Sequence, residues 1–284
     1  MQLGISWIKY LKRRRGRKIL SQALRMFRFH SIPFSILLRN MFNMLEPCKA
    51  KFTFPIIASI AAKNPELTRE ILSHGHEVAV HGFKHLNYSY LTEQQQEDDI
   101  KKALNTFKAM GIQVFGFRAP YNTYSKDTPK LLEKHGFLWD IGIGYNPKYR
   151  EGISPFRAKI DNHESSFVCI PLNKWSDDLM IDMRGFSSHQ IAEILRHVIK
   201  EVSEKGGVVM FDLHPIRIGQ PKYVAALKSV VEYGTELNGW FPTVTEAVNY
   251  WSKHGSWKHA ASFCCLLTGD IDNFSFFDYL QRLF

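Results

Sequence analysis

The feature that most constrains this chain is a repeated change of period, in which short runs rich in β-branched and aromatic residues precede longer segments with apolar residues at helical spacing. Lys51 to Ala58 reads as a strand, and a helix follows at Asn64-Pro65-Glu66, where asparagine caps and proline takes the first helical position. Glu77 to Val80 then reads as strand, Gln94 to Met110 as helix, Val114 to Phe117 as strand, Thr128 to His135 as helix and Asp140 to Ile143 as strand. Phe167 to Pro171 and Gly207 to Leu213 are further strands, with helices over His189 to Glu204 and Pro221 to Tyr233. Such alternation predicts a mostly parallel sheet, open or closed into a barrel, with helices outside. No Gly/Ser-rich linker and no internal repeat divides residues 1–284, so a single domain with an ample core is expected.

Composition narrows the class. With 45% apolar and 23% charged residues the chain is neither disordered nor collagen-like. Cys48, Cys169, Cys264 and Cys265 form no C-x-x-C pair, and the adjacent two cannot readily bridge each other, which suits a reducing compartment. The net charge of +10 sits in the first sixth of the chain: residues 1–45 hold ten Lys and Arg and no acid, whereas residues 46–284 hold 27 of each sign. The run Lys12-Arg13-Arg14-Arg15-Gly16-Arg17-Lys18 suits an anionic membrane surface better than nucleic acid, and equally suits a solvated helix face. Residues 1–48, with apolar spacing for helices over 4–28 and 34–46, are expected to form a basic helical leader. No stretch of 18 apolar residues occurs, and the basic run follows the first apolar residues, so neither a membrane span nor a secretory signal is expected. A cytoplasmic protein, peripheral to the membrane at most, is the expectation.

In α/β architectures of this kind, chemistry collects at the C-terminal ends of the strands. His81 follows the strand ending at Val80, and His81-Gly-Phe-Lys-His85 sets two imidazoles four residues apart, able to aim at one ion if the segment coils. Pairs at that spacing also arise by chance. Arg118-Ala-Pro-Tyr121 ends another strand in a stiffened loop, which alone reads as a surface turn. His214 stands at the mouth of a third strand, placed either for proton transfer or as a helix cap.

Together and in this order, these motifs resemble the NodB-homology polysaccharide deacetylases, metal-dependent carbohydrate esterases with a distorted (β/α) barrel. The resemblance runs from about Ala50 to Trp251 and rests on Phe52-Thr-Phe-Pro55, Lys63-Asn-Pro-Glu-Leu67, Gly75-His-Glu-Val78, His81-x-x-x-His85, Arg118-Ala-Pro-Tyr121 and Leu213-His214. It implies His81 and His85 as metal ligands, Arg118 as the group that orients the catalytic carboxylate, and the Tyr121 backbone N–H as oxyanion donor. Leu213 would line the acetyl pocket and His214 would be the general acid. The family's Thr-Phe-Asp-Asp-Gly motif, which supplies a base and a metal ligand ahead of the His pair, has no counterpart at Phe27 to Pro33, and no Asp precedes Asp98.

The C-terminal run Trp257 to Asp272 is instead an apolar strand ending in acids at i and i+2, similar to the opening strand of Asp-x-Asp members of the superfamily. That similarity implies Asp270 as base and Asp272 as metal ligand. It leads to an α/β barrel whose first strand is supplied by the C-terminus, residues 256–284, through a circular permutation. Phe263 to Thr268 would then lie between the Phe52 to Ala58 and Phe211 to Leu213 strands, with a helix over Phe274 to Phe284. Two other readings stand beside it: Asp270 and Asp272 cap a C-terminal helix, or Asp177 and Asp178 of Trp175-Ser-Asp-Asp-Leu179 provide the acid.

The resemblance implies one divalent ion, Zn²⁺ by its donor set, held by Asp272, His81 and His85, and hydrolysis of an N-acetyl group on an amino sugar. Trp175, Trp139 and Tyr145 offer faces for a pyranose ring, or belong to the core. The same motifs also suit a metal-dependent amidohydrolase of cyclic ureides or imides, or an inactive relative that binds carbohydrate or membrane.

Overall fold

A computed structural model describes residues 24–142 and 154–281. Nine strands form one sheet: β1 (Phe52–Ile56), β2 (Glu77–Val80), β3 (Gly116–Phe117), β4 (Trp139–Ile141), β5 (Phe156–Ile160), β6 (His163–Ile170), β7 (Val208–Asp212), β8 (Gly239–Trp240) and β9 (Phe263–Thr268). Their order is β5-β6-β4-β3-β2-β1-β9-β7, with β8 also paired to β9. Every pairing is parallel except that of β5 with β6. Past β6 the chain crosses to β7, where the Asn173 N–H donates to the Met210 carbonyl (3.4 Å) and Ser176 bridges Asp212. The two ends of the parallel set thus meet, and the sheet closes into a distorted (β/α) barrel.

β9 illustrates why the sequence builds this interior. All six of its residues are buried. Phe263, Cys265 and Leu267 join the large cluster shared with the helices, while Cys264 and Leu266 join a smaller one with Trp139, Ile141, Val168, Ile170, Val208 and Met210. Apolar residues on both faces are what a parallel strand covered on both sides requires. β9 lies between β1 and β7, with Thr53 level with Thr268 and Asp212 level with Thr268 on its other edge. Pro55 sits inside β1 without cost to that ladder, because the pairing with β9 ends at Thr53.

The smaller cluster is plugged from the N-terminal ends of the strands by the helix Val244–His254, which contributes Val244, Ala247 and Val248. Glu77, at the start of β2, accepts the Thr245 N–H (3.2 Å) and the Thr53 hydroxyl (2.8 Å) and pairs with the Thr245 hydroxyl. A carboxylate there satisfies an orphan helix N–H and complements the helix dipole. The opposite mouth is left for chemistry.

The structure revises the expected leader. Helix Phe34–Leu45 buries Phe34, Leu37, Leu38, Met41, Phe42 and Leu45, an i, i+3, i+4, i+7 stripe, so it is part of the core rather than an appendage. Residues 24–29 are helical, and Phe27 packs edge-on against Phe276 (5.3 Å), as Phe34 does against Phe274 (4.9 Å), on the segment that leads into helix Phe276–Gln281. The basic run Lys12 to Lys18 lies outside the described residues. Among those described, no helix is long and apolar enough to cross a membrane. β5, β8 and helix Val244–His254 escaped the sequence reading, although Thr243 and Glu246 form a capping box in the last, and β6 starts at His163, ahead of the strand expected from Phe167.

Candidate active site

The C-terminal ends of β2, β3, β7 and β9 converge. His81 follows β2, and its backbone N–H donates to the Ile56 carbonyl (3.1 Å). Its Nδ1 lies 2.8 Å from the Arg118 carbonyl. A carbonyl only accepts, so Nδ1 carries the proton and the lone pair sits on Nε2, facing the site. Gly82 then turns the chain with φ 78°, and Asp99 clamps the turn by accepting the N–H groups of Phe83 (2.8 Å) and Lys84 (3.2 Å) and the Tyr88 hydroxyl (2.9 Å). That clamp coils the segment so that His85 comes round beside His81, with ring centroids 5.2 Å apart.

Beyond β9 the chain keeps a strand-like course beside β1. The Gly269 N–H donates to the Thr53 carbonyl (3.3 Å) and the Ile271 N–H to the Pro55 carbonyl (2.8 Å). Ile271 is buried, and its two neighbours turn into the mouth: Asp270 Oδ2 lies 3.4 Å from His81 Nε2, while Asp272 Oδ1 lies 3.5 Å from His81 Nε2 and 3.3 Å from His85 Nε2. Close approach of the β7 and β9 ends requires Gly269, since a Cβ there would stand 2.0 Å from the Leu213 carbonyl oxygen.

The donor set fits a divalent cation. His81 Nε2 is buried with two carboxylates close by, yet it makes no hydrogen bond. Ligand atoms about 2.0–2.1 Å from a tetrahedral centre are roughly 3.3–3.4 Å apart, and Asp272 Oδ1 stands close to that from the two imidazole nitrogens, at 3.5 and 3.3 Å. Two imidazoles and one carboxylate also match three-ligand catalytic sites that leave a place for water. Burial opposes a charge on His81, but Asp270 and Asp272 raise its pKa, so a proton and a cation compete for the same pocket.

Beside this pocket stands a charged cluster. Arg118, fully buried, pairs bidentately with Asp212 (2.9 and 2.6 Å) and donates through Nε to Asn122 (3.0 Å), with Asp270 3.3 Å away. His214 Nδ1 donates to Asp177 (2.7 Å), which leaves Nε2 directed toward Asp270 Oδ2 at 4.0 Å. Burial would lower the His214 pKa, but Asp212 and Asp177 hold it up at about 10, so the imidazole is protonated at neutral pH. Burial lifts the Asp270 carboxyl above its ordinary range against the pull of Arg118, His81 and His214.

The residues expected from sequence thus meet in one mouth, with distinct fates. Asp177 serves His214 rather than the metal pocket, and Asp178 begins the π-helical turn Asp178–Met183. Tyr121 adopts φ 61°, is 47% exposed, and sets its ring edge-on to His85 at 4.2 Å. Leu213 is fully buried, with its N–H given to the Thr268 carbonyl. Trp175 is half-buried beside the Ser176–Asp212 bridge, a position from which it can meet a substrate. Trp139 cannot: it is fully buried, lies across Gly116, and donates its Nε1–H to Thr245 (2.7 Å). Tyr145 lies outside the described residues. Asp99 and Asp212 escaped the sequence reading as members of the site.

Comparison with known proteins agrees with this geometry. The family model for polysaccharide deacetylase matches residues 27–138. A peptidoglycan deacetylase of Helicobacter pylori is 28% identical over 202 residues, spanning 61% of this chain and 69% of that protein. Among solved structures, a putative polysaccharide deacetylase from Mycobacterium smegmatis superposes with a TM-score of 0.68 at 21% identity, covering 78% of this chain and 79% of the other. Puue allantoinase superposes at 0.67 and 18% identity, covering 82% and 77%, which shows a shared fold. The matched motifs, the closed barrel and the His–His–Asp pocket at its mouth lead to one conclusion: over residues 27–138 this chain is similar to the polysaccharide deacetylases, and it shares their fold.

Proposed function

We propose that this protein is a metal-dependent deacetylase that hydrolyses the N-acetyl group of an amino sugar within a carbohydrate, releasing acetate and the free amine. The observation that carries the reading is the meeting of His81, His85 and Asp272 around one point, with Asp270 and His214 on its flank. Deacetylation of peptidoglycan or chitooligosaccharide, the activities named for its relatives, is the substrate class to examine first.

His81, His85 and Asp272 would hold a divalent cation, Zn²⁺ by the preference of an N₂O donor set, which would supply Lewis acidity and lower the pKa of a bound water. Asp270, whose burial keeps it basic for a carboxylate, takes the proton of the attacking water. Arg118 fixes Asp270 from the side away from His81. The Tyr121 N–H donates to the oxyanion that develops on the carbonyl oxygen. His214, protonated and oriented by Asp177, gives its Nε2 proton to the departing nitrogen, so that an amine leaves rather than an amide anion. Leu213 and Trp175 flank the acyl and sugar ends.

We read the order of the chain as a circular permutation of the family's, with the Asp-x-Asp strand placed last. The position of β9 between β1 and β7 and the lack of any Asp before Asp98 support it. The basic run Lys12 to Lys18 is retained as a contact for an anionic membrane surface on its charge alone.

The test is acetate release from N-acetylglucosamine oligomers and peptidoglycan, with cyclic ureides in parallel, by protein of measured metal content. Release from the sugars, lost on chelation and in His81→Ala, is expected. Turnover of the ureides alone would overturn the substrate class, and bound metal without any turnover would favour a binding role.

A further inference from the structure

Two groups of potential metal ligands meet at the barrel mouth: His81, His85 and Asp272, and beside them Asp212, His214 and Asp270. Only the first is open to a cation. In the second, both Asp212 oxygens are taken by Arg118, and His214 Nδ1 is taken by Asp177. The built-in guanidinium is the cation of that group.

Asp212 is the last residue of β7, a strand that is otherwise Val-Val-Met-Phe. An acid there is buried with the rest of the strand, and a buried carboxylate persists only where it is paired and hydrogen-bonded. Its bidentate grip fixes the plane of the Arg118 guanidinium. Nε is then committed to Asn122, and NH1 is left beside Asp270 at 3.3 Å. The same carboxylate stands 3.8 Å from His214 Nδ1, a second anion behind the imidazole whose first is Asp177.

We propose that Asp212 is a positioning residue for the deacetylation reaction, holding Arg118 in register with Asp270 and stabilising the protonated form of His214 from behind. The inference rests on the activity proposed above. Asp212 is not among the donors of the metal pocket, and it acts through two neighbours. The groups that face His214 are Asp177 from the segment after β6, Asp212 from β7, Asp270 from the loop after β9, and Arg217 from the short helix Pro215–Ile218. Three are anions, so loss of one charge shifts the imidazole in a known direction, toward its ordinary pKa of 6.5 from about 10.

The experiment compares Asp212→Asn and Asp212→Glu with wild type in the metal-loaded protein. It follows metal content, kcat and KM, and the His214 titration by NMR of histidine-labelled protein, assigned with His214→Ala. For Asp212→Asn we expect unchanged metal content, kcat lower by about 10- to 100-fold with little change in KM, and a His214 midpoint lower by about one unit or more. Asp212→Glu keeps the charge but displaces the oxygens by a methylene, so it should keep the high midpoint while kcat falls. An Asp212→Asn protein with wild-type kcat and midpoint overturns the proposal, as does an Asp212→Glu protein with undiminished kcat. Should Asp212→Asn not fold, the Asp212→Glu kcat decides the positioning role. If wild type proves inactive on amino sugars, the activity reading fails while the His214 titration still decides this inference.

Discussion

Replacing Gly269 by alanine tests whether contact between the ends of β7 and β9 sets the catalytic geometry. The added Cβ would stand 2.0 Å from the Leu213 carbonyl oxygen, 2.5 Å from its carbon and 3.0 Å from His214 Cα, all of them backbone atoms that no rotamer change can move. Carbon–oxygen contact needs roughly 3.3 Å, so the two segments must part by about 1 Å or more. They are tied by the Leu213 N–H donating to Thr268 (2.6 Å), and the parting carries Asp270 away from His214, now 4.0 Å distant. Overpacking of this kind costs about 1–3 kcal/mol in stability, and a displacement near 1 Å at reacting groups costs about 10²-fold in turnover. Gly255→Ala is the control. Its φ of 64° is strained for alanine but its Cβ meets nothing within 4 Å, so about 1 kcal/mol of stability should be lost with turnover intact. Thermal unfolding and acetate release measure both effects. A Gly269→Ala protein with wild-type turnover and an unfolding temperature no lower than the control's would refute the reasoning.

The remaining expectations concern the same mouth. His81→Ala or His85→Ala should lower metal content from about one ion per chain to a small fraction, read by elemental analysis after dialysis, because two ligands seldom retain a catalytic cation. His214→Ala should keep the metal and lose roughly 10²- to 10⁴-fold in kcat, the range for a missing general acid; unchanged turnover would remove it from the mechanism. Because the folded pKa of His214 is about 10 and the unfolded value 6.5, its contribution to stability is complete below pH 6.5 and is lost as pH rises through 10. Unfolding free energy should therefore fall on the order of 3–4 kcal/mol between pH 7 and 10, and by less in His214→Gln.

Much of this architecture is legible in the chain because parallel strands buried on both faces leave continuous apolar runs. Phe263 to Thr268 is one, and its reading as a strand between β1 and β7 matches the sheet residue for residue. The β5–β6 hairpin is less visible because Phe156–Ile160 is only partly buried, and its turn at Asp161 to Asn162, with Asp161 at φ 50°, lacks the glycine that marks such turns. Helix Val244–His254 carried its signal openly, a Thr-x-x-Glu box before an apolar stripe, but its place inside the barrel depends on Glu77, whose partners come from β1 and from the helix itself.

Site residues divide in the same way. The residues of the proposed centre sit at strand ends in short motifs, where spacing alone brings them together: His81 with His85, Asp270 with Asp272, and His214 one residue past Leu213. Those that hold them are acids at positions a core would otherwise claim. Asp99 lies on the buried stripe of its helix with Gln96, Ile100 and Ala103, and Asp212 closes an apolar strand. An ionisable residue at such a place signals a buried partner, because an unpaired charge there costs far more than a fold can carry. The partner is not legible, since Arg118 lies 94 residues from Asp212 in sequence and meets it only when β3 and β7 close the same barrel. That closure is what turns three unrelated strand ends, each readable alone as a turn or a cap, into one cluster of Arg118, Asp212, His214 and Asp270 beside the His81–His85–Asp272 pocket.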